Sequence, residues 1–463
     1  MTVSTEQASM RFGCGLSPDL PAQGPQALLA GLRAPDQIAA RFPIESFSDY
    51  GPNLATAARL RREIKAARAQ GKSKRAIAAR DEIAAMRKSL AARNLDWYVN
   101  TLLRWSRTEN PLRERLALFW ADHFTAKGKN PIMVPAAFPY IEEAIRPNVG
   151  GRFGDLLIAA VTHPLMLHFL DQSYSVGPNS AAAKRAERLG GLNENLAREV
   201  LELHTLGVDG PYGQDDVRQL AELFTGLSYK TNGSFTFRNG FAEPGAETVL
   251  GVAYGAGKRG IGPVLDALND IAVHPATARH IAWKLAVHFV SDRPDPALVD
   301  HVAAHFERSG GDLEQVYAAL LEHPASWGAQ PGNVKPPFDL VASSCRALAV
   351  DPQAMQELKP RHLRRALLRP LAEMGQPLLN PGGPDGWPEE DAAWITPQGL
   401  SARLRWAVSA PSVLRPALPE PGAFVDTALG PLATEPVRFA ARAAESRSDA
   451  IGLILSSPAF QRR

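Results

Sequence analysis

The chain has 463 residues, 45% hydrophobic and 21% charged, with a formal net charge of only +3. That balance belongs to a globular protein with enough length to bury a large core, and it carries no global field that would require nucleic acid or an anionic membrane. Two distant cysteines, Cys14 and Cys345, exclude a disulfide framework and a zinc-ligand spacing.

The N-terminal MTVSTEQASMRFGCG lacks a basic stretch followed by an apolar run, so no signal peptide is visible and a cytoplasmic location is expected, unless the chain is exported with a partner. No apolar window approaches ~18 residues, so no membrane span is expected. Elements then follow as helix after helix. Gln26–Arg33 is short. Leu54–Gln70 and Ser73–Asn100 predict a helical hairpin broken at Gly71-Lys72, and Arg59 to Arg93 carries twelve Lys/Arg against three acids. Such a surface is either a solvated helical face or a site for phosphates or an acidic partner. Leu112–Thr125 follows Asn110 as a cap and Pro111 at the first helical position, where its missing N–H costs nothing. Glu194–Thr205 ends at Gly207, a left-handed stop.

Strand signal is confined to Ser234–Phe237 and Thr248–Tyr254, read together as one small β-hairpin. Helices resume at Ala276–Phe289, Pro296–Arg308, Leu313–Glu322 and Pro336–Leu348, and continue to Ala450–Leu455. Long Pro/Trp-rich loops occupy 377–422, in the stretches Pro377–Thr396 and Pro411–Gly422; Trp387 lies in the first, and such loops over a helical scaffold often carry function. Three segments, 154–166, 311–327 and 448–460, share an Asp, an apolar helix and a closing His-Pro or Ser-Pro. The fold class is therefore mainly α: one large helical domain over 1–463, with a basic hairpin at 54–100.

Placed at 100° per residue, Asn195, Glu199, Glu202 and Leu206 form one stripe of the 194–205 helix. Glu199 and Glu202 are neighbours that could share a cation or a proton, while His204 points away. The alternative is a salt-laced structural helix, with Glu194, Arg198 and Glu202 as an i, i+4 ladder. His123, late on an apolar helix, reads either as a hydrogen-bonded core residue or as a ligand or acid/base group. His280 and His288 are too widely spaced for a compact metal face; with Arg279 and Lys284 they suggest anchoring of loops or anions. His301 and His305 have metal spacing without the glutamate of a zincin. No phosphate loop and no nucleophile elbow is present.

Several stretches, among them "NPLRERLALFWADHF" (110–124), "HPLMLHFLDQSYSVGPNS" (163–180), "GLNENLAREVLELHTLGVDGPYGQDDVRQLAELFTGLSY" (191–229) and "GQPLLNPGGPDGWP" (375–388), resemble a bacterial family known as domain of unknown function 1800. The resemblance runs nearly end to end. It implies a mostly helical protein of unsettled activity, whose genes often neighbour a sulfatase- or phosphatase-like family. Many members carry a His-Asp pair where this chain has Phe241-Ala242-Glu243-Pro244, leaving Glu243 as the substitute. The resemblance also gives weight to Asn195, Arg198, Glu199, Glu202 and His123, and to the Asp171–Ser180 loop as a polar partner for them.

Two functions follow as expectations. One is a monomeric accessory or interaction protein for that hydrolase-like partner, with no nucleic acid involved. The other is a metal-assisted hydrolase or oxidoreductase, in which Glu199, Glu202 and His123 are catalytic groups or ligands of zinc, iron or manganese, and Asn195, Arg198, Asp171 and Trp387 bind the substrate.

Overall fold

The computed structural model describes residues 3–185, 191–257, 260–328, 332–377 and 379–463. The basic hairpin consists of α1 (Phe47–Ala69) and α2 (Ser73–Arg107). Ser46 starts α1, its hydroxyl accepting from Asp49 N at 3.1 Å, and Gly71 takes the positive φ that the reversal needs. Between the two helices small and branched side chains face inward, among them Ala57, Leu60, Ala67, Ala76, Ala79 and Ile83. The bases stay on the outside.

Helix α3 (Pro111–His123) lies in the centre, buried over most of its length. Asn110 occupies the position before its first turn but makes no side-chain cap bond; its amide instead lies against Gly31. The segment Asn195–Thr205 (α4) is α-helical only to Glu199 and widens into a π-helical turn over Val200–Thr205. Gly207 follows with φ 89°, the expected left-handed stop. Then come α5 (Gln214–Leu223), α6 (Pro275–Phe289), α7 (Pro296–Ser309), α8 (Leu313–Glu322), α9 (Pro337–Ala347) and α10 (Pro397–Ser409). One cluster of buried apolar side chains extends from Ala8 to Phe460. Among the described residues no helix is long and apolar enough to cross a membrane.

The expected single hairpin is in fact two. Strand β2 (Phe235–Phe237) pairs antiparallel with β1 (Leu227–Tyr229), upstream of the expected region. Strands β3 (Glu247–Val249) and β4 (Val252–Tyr254) pair with each other. The reason is local: Leu250 at φ 51° and Gly251 at φ 79° make a two-residue turn whose twist suits adjacent strands. The 377–422 region is likewise not all loop, since the 13-residue helix α10 lies within it.

The repeated His-Pro units have a physical explanation that differs from a simple helix stop. His163, His274 and His323 each begin the next helix, with Nδ1 accepting from the backbone N–H two residues on, at 3.1, 3.1 and 3.3 Å. The following proline fills the first helical position. Ser457 does the same through its hydroxyl. Of the three aspartates, only Asp312 is itself a cap.

Candidate functional site

The π turn in α4 decides where its side chains point. An i→i+5 turn adds a residue to the helical repeat and shifts every later position off the 100° projection. His204, turned away from the two glutamates by that projection, is fully buried. The carbonyls at the end of the turn are taken by imidazoles from two other helices. His123 Nε2–H donates to His204 O at 3.1 Å, and His280 Nε2–H donates to Leu203 O at 3.1 Å. Burial, then the charge of Lys284, holds His123 well below the ordinary histidine range. His204 is pushed down to about 3, by burial first, and neither of its ring nitrogens has a partner. His280 is lowered to about 4 for the same first reason. These three rings are neutral at pH 7.

Glu199 and Glu202 sit half-buried. Among the described residues neither carboxylate makes a hydrogen bond or an ion pair. Desolvation, then the negative charges of Glu202 and Asp385, raises Glu199 to about 7. The nearest cation, Arg198, opposes this weakly, because its guanidinium is drawn to Glu194 Oε2 at 3.3 Å and Gln214 Oε1 at 3.1 Å.

Asp385 belongs to the Pro/Trp-rich loop, which folds over the end of α3. Gly386, with φ 80°, lies so close that a Cβ there would stand 2.7 Å from Asp122 Oδ2. The next amide, Trp387 N, donates to Asp122 Oδ1 and Oδ2 at 3.0 and 3.2 Å. Asp122 is partly exposed as a residue, but its carboxylate is covered by this loop. Desolvation, then repulsion from Glu389, pushes it up to about 8. Glu389 goes the other way, down to about 2. Burial opposes that shift, but His288, Lys284 and Arg463 outweigh it. His288 Nδ1–H donates to Glu389 Oε1 at 2.9 Å, pinning the loop to α6. The half-buried Lys284 acts on Asp122, Glu389 and His123, and so joins the two halves of the cluster.

The residues expected from sequence are distributed as follows. Glu199 lies within reach of the charges of Glu202 and of Asp385 on the Trp387 loop, and His123 is buried against the π-turn carbonyl. Asn195 is exposed on the outer face. Asn193 does the clamping instead: its N donates to Ser175 Oγ at 3.0 Å and its Nδ2 to Leu170 O at 2.9 Å. Asp171 is remote from the two glutamates, paired with Lys129 at 2.6 Å. Glu243 holds the same loop by accepting from Asn179 N and Nδ2 at 2.9 and 2.6 Å. Among the described residues no three His, Cys, Asp or Glu side chains are arranged to hold a metal ion. Sequence reading did not single out Asp122, Asp385 or Glu389. The one cue was the acidic PDGWPEED run within a loop already suspected of function.

The sequence profile of the family described as "Protein of unknown function (DUF1800)" matches residues 7–462. The chain belongs to this family. Neither a curated protein nor a solved structure matches it. As a DUF1800 protein it shares a mainly helical fold, and the family description assigns it no activity.

Proposed function

We propose that the protein is an enzyme of the hydrolase class, working by acid–base catalysis where α4 faces Asp385 of the 383–389 loop, with Glu199 as the proton-transferring group. One observation carries this reading. Glu199 is a half-buried carboxyl raised to about 7 by desolvation and then by two carboxylate neighbours, and among the described residues it has no hydrogen-bond or ion-pair partner. Structural carboxylates are normally paired, whereas a catalytic acid/base is tuned toward the working pH. Ionised, Glu199 can take the proton of the attacking water; protonated by that step, it can then donate to the leaving oxygen or nitrogen, so the cycle closes. Asp122 near 8 and Glu389 near 2 show the divergence of neighbouring carboxyls typical of sites where one acid must keep its proton. A metal on Glu199, Glu202 and His123 is not part of this reading, since His123 Nε2–H is already given to the helix.

The test is a panel of nitrophenyl esters, phosphates and glycosides assayed with the wild type and Glu199→Gln. Support is an activity whose acid limb inflects near pH 7 and which Glu199→Gln lowers at least a hundredfold at unchanged melting temperature. Equal activity of the two proteins on every substrate turned over overturns the role of Glu199.

A second reading, an accessory protein for a sulfatase- or phosphatase-like partner, is favoured by α1 and α2. From Arg59 to Lys88 every basic side chain of this arm is exposed. Among the described residues, only Arg59 and Arg75 of these form ion pairs, with Glu63 and Glu82. Co-purification that fails when these bases are changed to Gln would support that role, and unchanged co-purification would remove it.

A further inference from the structure

A cavity of about 150 Å³ lies against α3, with Trp387 among its walls and Glu199 not. Its walls include Glu114 and Asp122, eight residues apart and hence roughly 12 Å along the helix. Most of the lining is carbon, from Trp105, Leu118, Phe119, Phe138, Phe338 and Trp394. A narrow apolar space of this form suits an extended hydrocarbon body.

One wall group is out of keeping with an empty apolar cavity. Arg115 is 1% exposed, with its guanidinium carbon 5.7 and 5.2 Å from the ring centres of Trp105 and Phe289. Its Nη1 donates to Gly13 O at 3.2 Å and, at 3.4 Å, to Asp339 Oδ2. Its Nε and Nη2 have no acceptor. The indole N–H groups of Trp105 and Trp394, both in the wall, also have none. Buried donors are normally paired, so several unpaired ones bordering one cavity indicate a missing acceptor.

Asp339 does not fill this need, because several cations share it. Arg115, Arg463 and Lys335 all act on its single carboxylate, and Arg463 already takes Asp339 Oδ2 at 2.7 Å. The wall carboxylates Glu114, Glu142 and Glu389 are engaged by Arg146, Arg104 and His288, and Asp122 accepts from Trp387 N. Among the described residues none of these four hydrogen-bonds to Arg115.

We propose that this cavity binds a monocarboxylate with an extended apolar body, the carboxylate accepting from Arg115 and the tail lying along α3. The inference does not depend on Glu199, which is not a wall residue.

Octanoate is the probe, compared with octanamide, which has the same tail without the charge, and acetate, which has the charge without the tail. Calorimetric titration should show octanoate binding at least tenfold more tightly than either, and octanoate alone should raise the melting temperature. Arg115→Gln should lose at least tenfold in octanoate affinity. If that variant does not fold, Ala121→Leu decides, because it narrows the cavity without touching the guanidinium; it too should lose octanoate. Glu199→Gln should bind octanoate like the wild type, which separates this site from the proposed catalytic one. Equal affinity for octanoate and octanamide, absence of octanoate binding, or octanoate binding unaffected in the folded Ala121→Leu protein would overturn the proposal.

Discussion

Replacing Asp122 by Asn should make the protein more stable, and increasingly so as pH rises. The carboxyl lies under Gly386 and Trp387 and is pushed up to about 8, against about 3.9 for an unperturbed aspartate. The folded protein therefore keeps a proton that the unfolded chain releases between those values. By linkage, the stability tied to this proton is complete below about pH 4 and is lost as pH rises through about 8. Between about pH 5 and pH 8.5 the full shift would cost the wild type about 4 kcal/mol at ~1.36 kcal/mol per unit. Partial exposure of the residue screens part of this, so about 2 kcal/mol is the expected change. Asn does not ionise, and its Oδ1 can still accept from Trp387 N. Urea unfolding of both proteins at the two pH values, compared at equal m-values, measures the gap. A gap that stays constant, or that moves in favour of the wild type as pH rises, would show that Asp122 is ionised in the fold and would refute the reasoning.

Three further outcomes can be checked by melting or denaturant titration. Glu389→Gln should cost about 3 kcal/mol at pH 7, because it leaves His288, Lys284 and Arg463 without their buried anion; the wild-type advantage should disappear as pH falls from about 4 through about 2. Asn193→Ala should cost about 1 kcal/mol by unpairing Leu170 O, while Asn195→Ala, on an exposed face, should change stability by less than ~0.5 kcal/mol. Gly251→Ala should cost about 1–2 kcal/mol, since φ 79° is a left-handed conformation that an L side chain resists.

The helical class was legible because apolar periodicity, prolines at first positions and the Gly207 stop are local signals. The α4 motif was legible as a place of interest, but not its geometry. A π turn leaves no mark in hydrophobic spacing, so a uniform 100° step could not show the carbonyls that His123 and His280 take at its end; the clamping falls to Asn193, ahead of that turn, rather than to Asn195. Strand pairing was misread because the β1 segment Leu227–Tyr229 is only three residues long and follows α5 closely. The convergence of Asp122 with Trp387 spans 265 residues, and only folding brings the acidic loop onto the end of α3. The basic arm, by contrast, was readable in its charge and its break at Gly71, both local signals, although its helices extend beyond the expected ends, over Phe47–Ala69 and Ser73–Arg107.

The account centres on the ionisation of Glu199. The most direct measurement is a carbon-detected NMR titration of the glutamate side-chain carboxyls, with the Glu199 signal assigned by its loss in Glu199→Gln. The account predicts a midpoint near 7, moving down when Asp385→Asn removes one of the repelling charges. A midpoint in the ordinary glutamate range near 4.3, unmoved by Asp385→Asn, would contradict it.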